Sequence, residues 1–307
     1  MHRNINNTFR SITYSIAVII LFISLGSCLR LDDVLFNSNN SIDGYLLDDY
    51  TGEVDFRLPE EYKVNEDEIT LFTLQSDDAG DKAIIHAIYL GNPETIASDT
   101  VIMYCHGNRD HMDFYWHRHK LLYYTGGEKH YGVLMVDYRG YGLSEGKSTE
   151  AGIIADVAAG LQWLKDRGLT GDRLIIYGFS LGSVAAVDHA ANPTVLTPNK
   201  LILEAPVGNM QTMVQDAGGG LSMPSSFFTD LDLDNIEKMK SVRQPLLLFE
   251  GLSDVFLTYD THGKPLYDNH KGAYKELVKI EKGTHTNIPL EYGFEKYMMK
   301  MQEFIEK

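Results

Sequence analysis

Cysteine is scarce in this sequence, which has only Cys28 and Cys105 among its 307 residues. A framework of several disulfides is therefore excluded, and the two cysteines could form at most one bridge. If Cys28 carries a covalent modification, Cys105 has no partner left. The sequence thus predicts a fold that is held together by a hydrophobic core, even in an oxidising compartment.

Basic residues are also few: 27 lysines and arginines stand against 43 aspartates and glutamates, for a net charge of −16. Nucleic-acid binding depends on basic groups that neutralise phosphates, and a surface this acidic repels phosphates and anionic headgroups alike. We therefore expect no nucleic acid partner and no polyanionic substrate. The hydrophobic content of 44% is that of an ordinary globular protein.

The apolar run at the N-terminus, Ile12–Leu25, is too short to cross a bilayer comfortably, which takes about 20 residues. Arg3 and Arg10 precede the run, and no acidic residue lies among the first 27. A basic start, a short apolar stretch and a small-residue site are typical of a secretory signal peptide.

A cysteine follows that run closely, in the sequence LGSC at residues 25–28. This resembles a bacterial lipobox, which implies that residues 1–27 are a lipoprotein signal peptide and that acyl chains on Cys28 attach the protein to a membrane. Leu29 stands where an aspartate would favour the inner membrane, so we expect a lipid-anchored protein of the bacterial cell envelope, at the outer membrane. An ordinary signal peptide with an incidental cysteine and a short signal anchor are the alternatives.

The remainder of the chain divides into a short polar segment and one domain. Residues 28–60 are acidic and rich in turn formers, with scattered apolar side chains, and are predicted to form a lipid-anchored tether. Residues 61–307 contain regular patterns and are predicted to form the folded domain.

Short apolar runs, each ending in a turn, recur through this domain. Continuous rather than alternating runs indicate strands buried on both faces of a parallel sheet. Helical patterns lie between several of them, which predicts an α/β fold: a doubly wound, mostly parallel sheet with helices on both faces. The runs are TVIMYCHG, YGVLMVDYRGYG, DRLIIYGFSLG, KLILEAP, PLLLFEGLSD and YKELVKIEKG.

Two of the helices are predicted by apolar residues at helical spacing. The first has Ser148 as its candidate N-cap, and the second follows Pro289. The residues predicted to share a buried face are Ile153, Val157, Leu161 and Leu164 in the first helix and Phe294, Met298, Met301 and Ile305 in the second.

The strand RLIIY runs directly into GFSLG at residues 178–182, a GxSxG sequence that is followed by a helical segment. In that context the turn strains the backbone of the serine and exposes its hydroxyl, and the flanking glycines permit close packing. Ser180 is therefore the predicted nucleophile. The alternative is a helix that merely begins at this serine.

A serine nucleophile needs a general base, and the base needs an acid that orients it. Asp254 follows the strand PLLLFEG, and His285 follows the strand LVKIEKG. Because ligand sites of open α/β sheets lie beyond the carboxyl ends of the strands, both should lie at the same rim as Ser180. The rivals, none of which follows a strand directly, are Asp260 and Asp268 as acids and His262 and His270 as bases.

From about residue 68 to the end, the chain resembles serine hydrolases of the α/β-hydrolase fold. The segments HGN, DYRGYGLSEG, GFSLG, GLSD and GTH carry the resemblance. The likeness is greatest to the small-lid branch that includes abhydrolase-domain acyl hydrolases and prolyl-oligopeptidase-type domains. It implies a reaction without a cofactor, and it implies that the backbone N–H groups of Asn108 and Leu181 stabilise an oxyanion.

A metal site is the alternative for the segment YCHGNRDHMDFYWHRHK, residues 104–120, which contains four histidines. The HxxxH spacing of helical zinc sites is absent, however, so no metal ion is expected. His106 is interpreted as a structural residue of the oxyanion loop, and His117 and His119 as an exposed helix face.

Several residues are predicted to touch the substrate. His111 and Met112 follow the oxyanion loop and should lie near the mouth of the site. The segment 207–242 occupies the position of a small lid, and its apolar side chains could line an acyl pocket or simply pack the lid onto the domain. The lid residues in question are Met223, Phe227 and Phe228.

These features predict a serine hydrolase that cleaves carboxylic esters or thioesters through an acyl-enzyme intermediate. A serine peptidase acting on short peptides ranks second, because such relatives usually carry a propeller domain or a large lid, for which this chain has no room. A non-catalytic surface lipoprotein ranks third, because a pseudoenzyme usually lacks one member of the triad.

Overall fold

The computed structural model of the chain describes residues 35–217, 224–227, 229 and 231–307. Residues 1–27 and Cys28 lie outside these ranges, so the signal peptide and the lipidation stay predictions. No helix within the described ranges combines the length and the apolar character that a membrane crossing requires.

An eight-stranded sheet occupies the centre of the described domain, in the order β10-β9-β8-β7-β4-β6-β3-β2. Pairing is parallel from β10 to β6 and antiparallel for β3 and β2 at one edge. The predicted mostly parallel sheet is thereby confirmed. The strands are β1 Asn37–Ser38, β2 Ile69–Asp78, β3 Asp81–Leu90, β4 Val101–Cys105, β5 Arg109–Asp110, β6 Gly132–Val136, β7 Leu174–Phe179, β8 Lys200–Glu204, β9 Leu246–Gly251 and β10 Lys275–Ile280.

Helices cover both faces of the sheet, as a doubly wound fold requires. Successive residues of a strand point to opposite faces, and those of β4 enter two different cores. Met103 and Cys105 pack in the core of α2 and α3, and Tyr104 packs in the core of α1 and α8. The helices are α1 Trp116–Tyr124, α2 Glu150–Asp166, α3 Gly182–Ala191, α4 Met210–Ala217, α5 Asn235–Lys238, α6 Lys264–Asn269, α7 Ile288–Tyr292 and α8 Phe294–Glu306.

The predicted core face of α2 is largely confirmed, but the helix begins one residue later than expected. Ile153, Val157, Leu161 and Leu164 are all buried. The N-cap is Thr149, whose hydroxyl accepts the Gly152 N–H, because the Ser148 hydroxyl donates instead to the carbonyl of Arg139.

The C-terminal helix differs more from its prediction. Pro289 lies in the short helix α7, and Gly293, with φ of +90°, separates α7 from α8. Met301 and Ile305 are buried as expected. Tyr297 and Phe304 are also buried, whereas the predicted Phe294 and Met298 are half-buried and pack against the same core.

The described part of the segment predicted to be a tether, residues 35–60, packs against the domain. Asp55, Phe56 and Leu58 are buried. The Tyr45 hydroxyl donates to Asp137 at 2.7 Å. Scattered apolar residues and backbone hydrogen bonds are enough to fix this segment, although its composition is that of a linker.

Candidate active site

Ser180 lies in a sharp turn between β7 and α3. Its φ is +51°, a conformation that strains any residue other than glycine and that is typical of a nucleophile turn. Glycine is required on both sides of Ser180, because a side chain at Gly178 or Gly182 would clash with neighbouring backbone atoms. A Cβ atom at Gly182 would lie 2.0 Å from the carbonyl oxygen of Cys105, and one at Gly178 would lie 2.7 Å from the Cα of Ser183.

A chain of hydrogen bonds connects the three residues that the sequence singles out. His285 Nε2 lies 2.9 Å from Ser180 Oγ, and His285 Nδ1 lies 2.8 Å from Asp254 Oδ2. A carboxylate that accepts the Nδ1 proton leaves Nε2 free to accept the hydroxyl proton of the serine. These distances are within the range expected of a nucleophile, its base and the residue that orients the base.

Asp254 is held by the loop that follows β9. Its Oδ1 accepts the N–H groups of Phe256 at 2.8 Å and Leu257 at 3.0 Å, and its side chain is fully buried. Three hydrogen bonds therefore converge on the two oxygens of this carboxylate. They fix its orientation toward His285.

The rival acids and bases lie elsewhere. Asp260 and Asp268 are exposed. His262 accepts the N–H of Gly208 through Nδ1, and His270 contacts the carbonyl of Gln244 through Nε2. The structure thus places Asp254 and His285, and none of these four, beside Ser180.

The two residues predicted to supply the oxyanion donors lie beside Ser180. Asn108 and Leu181 line a pocket together with Ser180. Within the described part of the chain, neither N–H donates to an acceptor. They lie at the end of β4 and in the turn after β7, strands that are direct neighbours in the sheet. This arrangement fits the oxyanion role that the sequence predicts for them.

The pocket beside Ser180 is narrow and apolar, with a volume of about 30 Å³. Its wall combines the predicted lid, the loop after β9 and the first described residues of the chain. The lining residues besides Asn108 and Ser180 are Leu35, Phe36, Leu181, Val207, Met210, Met213, Leu231, Leu233 and Phe256. Met223 and Phe228 lie outside the described residues, as does the side chain of Phe227, the last residue of a short helix that begins at Ser225.

His111 and Met112, predicted near the mouth, do not line this pocket. Both side chains are buried, and His111 Nδ1 accepts the N–H of Asp113 at the start of a helical turn. The rings of Tyr45 and Tyr50 pack against His111. The prediction is corrected for a physical reason: the packed segment before residue 60 covers these positions.

The interpretation of His117 and His119 as an exposed helix face is also wrong. His119 is fully buried and bonds to the Val133 carbonyl, and burial lowers its pKa to about 3. His117 accepts the N–H of Leu58, and burial lowers its pKa to about 4. His106 is buried and stacked on Tyr138, which agrees with its structural interpretation. Among the residues that the structure describes, no group of histidines, cysteines and acids could hold a metal ion.

A buried arginine that the sequence analysis missed lies beneath the site. Arg118 bonds to Glu204 through Nη1, and its Nη2 donates to Asp55 Oδ2 at 2.8 Å and to the carbonyl of Thr286 at 2.9 Å. Its guanidinium lies 4.1 Å from the ring centroid of Phe179. Arg118 thus contacts the neighbours of both Ser180 and His285. The signal in the sequence is Glu204, because an acidic residue within the apolar run KLILEAP indicates a buried charge that needs a cationic partner.

Replacement of Arg118 by methionine is expected to lower the free energy of unfolding by about 3–5 kcal/mol, because it leaves Asp55 and Glu204 as buried charges without a cation. Chemical denaturation monitored by fluorescence measures this. Arg167→Met is the matched control, since Arg167 is exposed and its loss should change stability by about 0.5 kcal/mol or less. Equal stabilities of the two variants would contradict the structural role of Arg118.

Glu250, the last residue but one of strand β9, carries a buried carboxyl group close in sequence to that of Asp254. Neither of its side-chain oxygens has a hydrogen-bond partner within the described structure. Burial, followed by the charge of Asp254, raises the pKa of Glu250 well above its usual range. Burial thus favours the protonated form of Glu250, and its carboxyl group makes no hydrogen bond to His285 in the described structure.

Comparisons with known proteins find similar sequences for the central part of the chain. A family model described as "Serine aminopeptidase, S33" matches residues 97–235. Alpha/beta hydrolase domain-containing protein 17B of Homo sapiens is 29% identical over 177 residues, which are 57% of this chain and 56% of that protein. Alpha/beta hydrolase domain-containing protein aho-3 of Caenorhabditis elegans is 26% identical over 212 residues, 68% of this chain and 58% of that protein. The chain spans little more than half the length of these relatives.

Solved structures resemble the domain over most of its length. An esterase from Pyrococcus furiosus has a TM-score of 0.63 and 18% identity, with 90% of this chain and 98% of that chain covered. An acylaminoacyl peptidase from Pyrococcus horikoshii has a TM-score of 0.57 and 18% identity, with 80% of this chain and 41% of that chain covered. At this identity the likeness shows a shared fold.

Proposed function

Because the chain has the α/β-hydrolase fold, we propose that it is a serine hydrolase that cleaves carboxylic esters or thioesters through an acyl-enzyme intermediate. The observation that carries this proposal is the hydrogen-bonded chain from Ser180 through His285 to Asp254 at the end of the strands. The fold alone hosts many activities, so the proposal depends on this site.

In the proposed reaction, Ser180 Oγ attacks the carbonyl carbon of the substrate while His285 Nε2 takes the hydroxyl proton. The alcohol or thiol then leaves with that proton. A water molecule attacks the acyl-enzyme in the second half, again with His285 as the base, and releases the acid. Asp254 holds the imidazole in the tautomer that can accept a proton.

The negative charge that develops on the carbonyl oxygen would be held by the N–H groups of Asn108 and Leu181. Both belong to backbone that packing fixes in advance, so they need little reorganisation when the charge forms. One such donor typically contributes about 3–4 kcal/mol of transition-state stabilisation.

An acyl substrate is favoured by the surroundings of Ser180. The pocket beside it is apolar, with methionine, leucine, valine and phenylalanine side chains, and the chain as a whole is strongly acidic. Such a surface favours neutral or apolar substrates over polyanions.

We further propose, from the sequence around Cys28 alone, that acyl chains on this residue hold the enzyme on a membrane of the bacterial cell envelope.

A serine peptidase acting on short peptides is the second candidate. The family model that matches residues 97–235 is described as a serine aminopeptidase, which favours it. A peptidase that takes a free amino terminus needs acidic groups at the site to hold the ammonium group. Within the described residues, the lining of the pocket beside Ser180 contains no acid.

A fluorophosphonate probe tests the proposal on the full-length protein. We expect one adduct, located on Ser180 by mass spectrometry of the proteolytic peptides, and hydrolysis of acyl esters or thioesters that the probe abolishes. Protein unfolded in urea is the control, because its Ser180 lacks the contact with His285. Cleavage of aminoacyl amides without esters would favour the peptidase, and absence of both adduct and turnover would favour a non-catalytic binding protein.

A further inference from the structure

We infer that residues 35–39, here called the strap, form one wall of the substrate pocket, and that Leu35 and Phe36 limit the length of the acyl chain by filling the space that a longer chain would need. The inference rests on the proposed ester or thioester hydrolysis. It assigns a selective role to a segment whose composition predicts only a tether.

Backbone pairing fixes the strap to the loop after β4. Its strand β1 pairs in parallel with β5, so that Asn37 lies opposite Arg109 and Ser38 opposite Asp110. The N–H of Asn39 donates to the Asp110 carbonyl at 3.1 Å. The Asn39 carbonyl accepts the N–H of Gly142 at 2.8 Å. Hydrogen bonds on both sides hold the strap in one register beside the site.

The side chain of Asn108 connects the strap to the predicted oxyanion site. Its Nδ2 donates to the carbonyl of Leu35, and its Oδ1 accepts the N–H of Asn37 at 2.9 Å and the hydroxyl of Tyr141 at 2.6 Å. Three of the four hydrogen bonds that an asparagine amide can make are thus in place. The strap therefore orients Asn108, a residue that lines the pocket of Ser180.

The side chains of the strap complete the apolar wall. Leu35 and Phe36 are half-buried and pack on the same core as Met213 and Leu231 of the lid segment, and all four line the pocket of Ser180. The pocket between them holds about 30 Å³. In the described conformation, Leu35 and Phe36 and the lid residues together enclose a narrow apolar pocket beside Ser180.

The test compares kcat/KM for esters of a four-carbon and a twelve-carbon acyl chain, in the full-length protein and in Leu35→Ala and Phe36→Ala. We expect the ratio of kcat/KM for the twelve-carbon ester to kcat/KM for the four-carbon ester to rise about tenfold in Phe36→Ala. Each additional methylene that the pocket accommodates should raise kcat/KM by a factor of about four. A smaller rise of this ratio is expected for Leu35→Ala. The ratio for Phe36→Leu should lie between the ratio for Phe36→Ala and that for the unchanged protein. Because the measured quantity is a ratio, partial loss of folded enzyme does not alter it.

Leu46→Ala is the matched control: Leu46 belongs to the same N-terminal segment, is more than half exposed and does not line the pocket. Its ratio should equal that of the unchanged protein. A ratio that stays within twofold in Leu35→Ala and Phe36→Ala, or that falls, would overturn the inference while leaving ester hydrolysis in place. Absence of ester and thioester turnover in the unchanged protein would instead overturn the proposed function, and this inference with it.

Discussion

Ser180→Ala is expected to lower kcat for ester hydrolysis by about 10⁴-fold or more, since loss of the nucleophile removes the acyl-enzyme route. Within the described part of the chain, the neighbouring hydroxyl of Ser183 and the thiol of Cys105 cannot replace it. The hydroxyl of Ser183 is committed to hydrogen bonds with the Ser180 carbonyl and the Val207 N–H. Cys105 is fully buried, and burial raises the pKa of its thiol far above the usual range. Steady-state kinetics with the preferred ester measures the loss.

Ser253→Ala is the matched control for this variant. Ser253 is exposed and lies next to Asp254, but its hydroxyl donates to the Glu281 carbonyl and not to the site. Activity within twofold of the unchanged enzyme is expected. A Ser180→Ala enzyme that kept a tenth of its activity, with a native circular dichroism spectrum, would exclude Ser180 as the nucleophile.

Asp254→Asn is expected to lower kcat by about 10⁴-fold with little change in the fold. The carboxylate of Asp254 accepts the Nδ1 proton of His285. An asparagine at this position can present its NH₂ group instead, which would place the imidazole proton on Nε2, where it faces Ser180 and prevents proton transfer. Glu250 cannot replace this contact, because its carboxyl group is buried, makes no hydrogen bond in the described structure and has a raised pKa.

The comparison variant is Asp260→Asn, since Asp260 lies six residues further along the same loop and is exposed. It should leave kcat unchanged. If Asp260→Asn caused the large loss and Asp254→Asn did not, the assignment of the acid would be reversed. Thermal unfolding of both variants separates an effect on the reaction from an effect on stability.

The fold could be predicted from the sequence because its signals are local. A strand buried on both faces is mostly apolar, and β4, β6 and β7 each appear in the sequence as an uninterrupted apolar run. The turn after β7 is equally local, since the glycines on both sides of Ser180 are required by contacts with the neighbouring backbone. Asp254 and His285 could be chosen because each follows a strand directly.

The buried ion cluster could not be predicted in this way. Arg118 binds Asp55 and Glu204, which lie 63 and 86 residues away in the sequence. Nothing in the local pattern shows that charges so far apart will share one buried site. Charged and histidine-rich stretches are usually exposed, so the sequence around Arg118 predicts that His117 and His119 lie on an exposed helix face.

The packing of the strap could not be predicted from the sequence for a different reason. Its attachment depends on backbone hydrogen bonds between β1 and β5, two strands of two residues each. Such pairing needs no particular side chains and leaves no pattern in the sequence. The burial of His111 beneath Tyr45 and Tyr50 is a consequence of the same packed segment, whose composition predicts a tether and therefore no such contact.

The attachment of the strap also limits how far Cys28 can lie from the pocket of Ser180. Leu35 lies seven residues after Cys28, and seven residues span at most about 25 Å when fully extended. With Cys28 acylated as proposed, the entrance beside Ser180 could not be farther than this from the bilayer surface. For a substrate that lies in the same membrane, the encounter would then occur by diffusion in two dimensions, and turnover would depend on the surface density of that substrate rather than on its concentration in bulk solution.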